Sequence, residues 1–245
     1  LALTSLSGSI ASLFFPKMAQ AYAQGNKAEL CRRLDFSMRF TAAFMIVPLA
    51  GFIGLGPAFY GLWLQGRPVA ELEEIQLLSM LTVITLLASA LVEPLYYANT
   101  LTTKVRGSVL IAFGFSVATL AIEFPLLAFS SFDKLAVIAG TSSLLMFVRH
   151  ALIQPLYCAV VIGVPKRTFY RPLLKEVIVF ALVLAGFSCA NALGLCFNWG
   201  SFIATAVLAA LISYAIEFVL LFSTVERNSI LASIKSKLVR GGYEG

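Results

Sequence analysis

The chain has 245 residues, of which 60% are hydrophobic and only 12% charged, with a mean hydropathy of +0.91 and a net charge of +6. Soluble domains carry about 25% charged residues, so this composition excludes a water-soluble globular fold. The positive charge is gathered into short segments between apolar runs, with no long basic, aromatic-rich stretch of the kind that reads nucleic acid.

Residues 1–15 are apolar and run toward Lys17. They lack a basic start and a cleavage site, so they do not read as a signal peptide. They read as the truncated end of a transmembrane helix, and the chain as the C-terminal part of a longer protein. Residues 16–39 follow as an elbow on the membrane surface. Gly25 breaks the preceding segment, and Asn26 with Glu29 has the spacing of a capping box that starts a new helix.

Six apolar stretches come next: Phe40–Trp63, Ile75–Thr100, Gly107–Ser130, Leu135–Gly163, Glu176–Phe197 and Ser201–Thr224. Each reaches the ~20 residues a helix needs to cross a ~30 Å hydrocarbon core. None shows the two-residue alternation of a barrel strand. The expected fold is therefore all-α, a polytopic membrane helix bundle, because lipid tolerates only backbones that satisfy their own hydrogen bonds. Four spans fill 40–163, a basic loop fills 164–175, and two more spans fill 176–224. Pro48, Pro57, Pro94, Pro125 and Pro155 punctuate the first four spans, while the interiors of the last two have none. The tail, 225–245, places Ile230, Leu231, Ile234 and Leu238 on one helical stripe, with Lys235 and Lys237 elsewhere.

Fifteen of the eighteen Lys and Arg lie in Lys17–Arg39, Lys104–Arg106, Lys166–Lys175 and Arg227–Arg240. The alternate connections hold only Arg67 and Lys134. The positive-inside rule makes the basic connections and the C-terminus cytoplasmic. Tyr60, Trp63 and Trp199 sit near span ends as an aromatic belt. Cys31, Cys158, Cys189 and Cys196 show neither metal spacing nor a disulfide framework.

No HExxH, GxSxG or Walker pattern occurs, and His150 is the sole histidine. No catalytic residue, metal site or cofactor is expected. The informative groups are ionisable residues inside spans, which cost at least ~2.5–3.5 kcal/mol at a helix centre and face a cavity or a partner. Arg149 stands about mid-span, too deep to snorkel easily. It reads either as a cationic contact for a phosphate or pyrophosphate or as one half of a buried pair with Glu93 or Glu217. Glu93, just before Pro94, reads as that partner or as part of a substrate or ion site. Glu123, Glu217 and His150 are candidates for ion or proton coupling; for Glu217 the simpler expectation is a helix–helix hydrogen bond near Tyr214. Arg32, Arg33 and Arg39 line the start of the first span, as lipid anchors or as a lead-in for a substrate headgroup. Leu91–Ala98 and Leu152–Ala159 echo one another around Pro94 and Pro155.

The run Pro16-Lys17-Met18-Ala19-Gln20-Ala21-Tyr22-Ala23-Gln24-Gly25-Asn26-Lys27 resembles the elbow of polysaccharide exporters of the multidrug/oligosaccharidyl-lipid/polysaccharide superfamily, which include the O-antigen and teichoic-acid flippases. Pro48, Pro94 with Tyr96-Tyr97-Ala98, the turn Lys104-Val105-Arg106, Gln154-Pro155-Leu156-Tyr157 with Gly163, and Thr168-Phe169-Tyr170-Arg171-Pro172 extend the likeness in order and spacing. The resemblance implies a MATE-like second bundle followed by two extra helices, with the first bundle absent. It implies a role in flipping undecaprenyl-pyrophosphate-linked oligosaccharide, an O-antigen or similar repeat unit, across the bacterial inner membrane by alternating access. Arg149 and Arg39 are the positions it marks for the pyrophosphate. Membrane lipids, a polysaccharide polymerase and other assembly proteins are the further partners it implies. A cation-coupled multidrug antiporter, a non-transporting scaffold in polysaccharide assembly, and a membrane glycosyltransferase remain as alternatives.

Overall fold

A computed structural model of the chain describes the backbone of residues 2–129 and 133–241 and the side chains of 5–129 and 133–232. Leu1, Ser130 and the side chains of Ile234, Lys235, Lys237, Leu238 and Arg240, all of which enter the sequence expectations, lie outside the described residues. Among the described residues the secondary structure is helical throughout: α1 (Ala2–Ser12), α2 (Phe15–Ala23), α3 (Lys27–Gly54), α4 (Gly56–Trp63), α5 (Val69–Leu101), α6 (Val105–Phe129), α7 (Lys134–Val148), a π-helical turn (Arg149–Ile153), α8 (Gln154–Ile162), α9 (Tyr170–Ala192), α10 (Trp199–Leu221) and α11 (Thr224–Gly241). Six helical runs are long and apolar enough to cross a membrane: α3, α5, α6, α7 through α8, α9 and α10. The protein is a multi-pass membrane helix bundle.

The elbow forms because Gly25 takes a φ of +66°, a conformation that favours glycine. Asn26 then caps α3, its side chain accepting from the Glu29 N–H at 3.0 Å. Glu29 does not complete the expected reciprocal box. Its carboxylate takes Arg32 and Arg33 instead, at 2.7 and 2.6 Å. A full capping box occurs elsewhere, at Asn198 and Ser201 opening α10.

Helix α3 is the hub. Leu34, Met38, Met45, Ile46 and Ala50 on it are fully buried, and it packs against α5 on one side and α9 and α10 on the other. The contact with α9 is close because of glycine. Gly51 and Gly54 both face Phe187, and a Cβ built on Gly54 would sit 2.5 Å from the Phe187 Cβ. Small residues let two membrane helices approach to backbone contact. Helix α6 is the opposite case: apolar over most of its length, it buries only Thr119.

Two expected single spans are each divided. Phe40–Trp63 breaks at Leu55, since Pro57 has no N–H for the Ile53 carbonyl four residues earlier. The Gln76 side chain from α5 donates to that carbonyl at 3.0 Å. Leu135–Gly163 is interrupted by the π-helical turn just ahead of Pro155, and the Tyr170 hydroxyl donates to the Leu152 carbonyl within it. Pro48, Pro94 and Pro125 lie inside continuous helices.

Candidate functional site

Arg149 opens the π-helical turn. Such turns are single-turn bulges that commonly mark functional positions. Its Nη1 approaches the Met146 sulfur at 3.5 Å, and its Nη2 donates to the Tyr96 hydroxyl at 3.4 Å. The Tyr96 oxygen lies 3.2 Å from Nδ1 of His150, which is buried. The Tyr96 hydroxyl accepts from Arg149 and shares a hydrogen bond with His150 Nδ1, whose direction follows the ring's tautomer. The result is a polar relay, Arg149–Tyr96–His150, across the contact between α5 and the π-helical turn.

No carboxylate is part of it. Among the described residues Arg149 forms no ion pair, so the expected buried pair with Glu93 or Glu217 is absent. Glu93 faces away, toward α1: a Cβ built on Gly8 would meet its Oε1 at 3.8 Å. Tyr97 on the same side donates to the Gly8 carbonyl at 3.3 Å. Tyr96 and Tyr97, adjacent in sequence, thus serve different neighbours.

The other sequence-selected residues are dispersed. Glu123 on α6 accepts a 2.6 Å hydrogen bond from Ser142 on α7. Glu217 on α10 is 1% exposed and neither of its oxygens has a hydrogen-bond partner. The helix–helix hydrogen bond expected near Tyr214 is therefore not made. Arg39 is committed to a network of its own. It holds Asp35 at 2.7 Å, both oxygens of Glu226 at 2.8 and 2.9 Å, and the Leu221 carbonyl at 3.1 Å. Lys175 reaches the same carbonyl at 3.4 Å. The network ties the start of α11 to α3 and to the end of α10. The Arg39 guanidinium, aided by the Ser223 N–H and hydroxyl, holds Glu226 down to about 2 in spite of partial burial.

Two residues of interest escaped the sequence reading. Tyr96 was visible only as part of the proline echo and of the run Tyr96-Tyr97-Ala98 in the family resemblance, without a role of its own. Glu176 stood only as the first residue of an expected span; it is fully buried, with both carboxyl oxygens unpartnered. It lies in the field of Asp35, Arg39 and Lys175. A cavity of about 320 Å³ between α3, α4, α9 and α10 is lined by Pro48, Phe52, Phe59, Phe187 and Phe202. It contains none of these ionisable groups. Among the described residues no group of three or more His, Cys, Asp or Glu is placed to hold a metal.

The chain is similar to the uncharacterized membrane protein EpsK of Bacillus subtilis (strain 168), with 23% identity over 232 residues. The alignment covers 94% of this chain and 45% of that protein, so the chain spans less than half of its relative's length. No family model matches the chain. No solved structure matches it.

Proposed function

We propose that this chain forms part of a membrane transporter that moves an oligosaccharide linked to undecaprenyl pyrophosphate from the inner to the outer leaflet by alternating access. The observation that carries the proposal is Arg149: an intramembrane guanidinium held by Tyr96 and Met146 rather than by a carboxylate. A buried Arg with a paired acid is electrically finished. One held by a hydroxyl and a thioether keeps its charge for an anionic visitor, and a pyrophosphate matches its two-pronged donor geometry. The basic end of the bundle, taken as cytoplasmic, supplies the field that draws such a headgroup toward the membrane. The reading assigns no bond-making chemistry to the chain, and the lipid-linked oligosaccharide is its cargo.

The test is Arg149→Ala in the intact protein. Loss of one charge-assisted contact, about 1.5–3 kcal/mol, should lower export of surface polysaccharide by about tenfold or more at unchanged membrane abundance. Export at the normal level removes Arg149 as the headgroup contact. The buried, unpartnered Glu217 favours a second reading, cation-coupled antiport. That reading requires Glu217→Gln to abolish ion-dependent transport while Arg149→Ala leaves it intact.

A further inference from the structure

At the basic end of the bundle a cavity of about 340 Å³ opens between the start of α2, the first turns of α3 and the first turns of α11. Apart from Glu226 and Ser229, its lining is of two kinds. Lys17, Arg32 and Arg33 form a cationic side, and Phe14, Phe36, Val225 and Ile230 form an apolar side. We propose that this cavity binds the phosphate headgroup of an anionic lipid, with the first part of the lipid's chain against the apolar side. The site is independent of what cargo the bundle moves.

The cations have capacity to spare. Arg32 spends Nε and Nη2 on Glu29, and Arg33 spends Nε alone. One carboxylate thus neutralises one of the two guanidinium charges and leaves Nη1 of Arg32 and both Nη groups of Arg33 without a hydrogen-bond partner among the described residues. Lys17 forms no ion pair among them. The single carboxylate lining the cavity, Glu226, has both oxygens taken by Arg39; because Asp35 shares that guanidinium, the trio leaves one negative charge against the two positive charges left on Lys17, Arg32 and Arg33 after Glu29. Ser223 adds two more donors to one of the Glu226 oxygens. A phosphate entering the cavity therefore meets a net positive wall with free N–H donors in guanidinium geometry, the arrangement that grips phosphate best.

The apolar side identifies the source of the phosphate. Phe36 packs edge-on against Phe14 at 5.6 Å between centroids, and Phe14 against Phe40 at 5.2 Å. Phe222 closes the cluster on Phe36 at 6.0 Å. This is a packed aromatic floor at the level where the elbow, which starts at Pro16, meets the first span. A free phosphate gains nothing from such a surface. A lipid gains on both counts, since its chain leaves water where its headgroup meets charge. Helix α11 provides one wall through Val225 and Ile230, and the Arg39–Glu226 pair keeps that wall in place.

The experiment is native mass spectrometry of the full-length protein, with phosphatidylglycerol, phosphatidylcholine and inorganic pyrophosphate as probes. Wild type should retain one strongly held phosphatidylglycerol, and K17Q/R32Q/R33Q should retain it about tenfold less. Arg67→Gln, at the opposite end, should match wild type. Should the triple variant fail to fold, Ile230→Glu, which puts a carboxylate at the cavity wall, should give the same loss with an unchanged thermal midpoint in phosphatidylcholine. Equal retention by these variants, or equal retention of phosphatidylcholine, overturns the proposal. Displacement of the lipid by pyrophosphate overturns the lipid assignment in favour of a free-anion site.

Discussion

Replacing Gly54 by alanine drives a methyl group into the close contact between α3 and α9. The new Cβ would stand 2.5 Å from the Phe187 Cβ, 3.0 Å from the Ser188 nitrogen and 3.1 Å from the Phe187 carbonyl carbon. Two of these three atoms are backbone, so no rotamer change relieves the clash. Helices α3 and α9 must separate instead. Overpacking of this kind costs about 1–3 kcal/mol. The same substitution where space is open should stabilise by up to about 1 kcal/mol, the helix-propensity difference between glycine and alanine. Gly114 on α6 and Gly186 on α9 are such positions, with no atom within 4 Å of a built Cβ. Unfolding of the full-length protein in mixed micelles, titrated with a denaturing detergent, measures all three variants. Gly54→Ala should fall below wild type by about 1–3 kcal/mol while Gly114→Ala and Gly186→Ala hold level or rise. A Gly54→Ala protein as stable as Gly186→Ala would refute the close approach of α3 and α9.

Glu226→Gln should release α11. Because Glu226 titrates at about 2 in the folded protein against an ordinary 4.5, the latch is fully present above pH 4.5 and is lost as the pH falls toward 2. Amide exchange over residues 224–232 should be fast in the variant at neutral pH and slow in wild type, with wild type catching up as the medium is acidified; equal exchange at neutral pH would remove the latch. Membrane orientation is tested in a protein with its four native cysteines replaced. An impermeant maleimide added outside cells should label Arg67→Cys and spare Lys104→Cys, and the reverse pattern would invert the topology.

The long apolar runs were legible because a membrane span needs length and hydropathy, and both are local properties. The breaks within them were less so. Five prolines signalled five possible kinks, but only Pro57 and Pro155 coincide with breaks; Pro48, Pro94 and Pro125 are absorbed by continuous helices. The first of these outcomes depends on Gln76, a neighbour from another helix, and sequence spacing does not show which neighbour will arrive. The candidate residues divide the same way. Arg149 stood out because charge in a span is expensive wherever it points. Its partner Tyr96, fifty-three positions away, had no distinguishing mark beside Tyr97. Arg39 looked free because Glu226, one hundred and eighty-seven positions on, sat in what read as a tail.

The Gln76 amide has a mechanical consequence. It replaces, from a separate helix, the one backbone donor that Pro57 removes from the α3–α4 junction. Straightening α3 into α4 or folding them further apart works against that bond and against the 2.7 Å hydrogen bond between Tyr60 on α4 and Ser79 on α5. The bend is therefore clamped from outside, with α5 holding each arm by one side-chain bond.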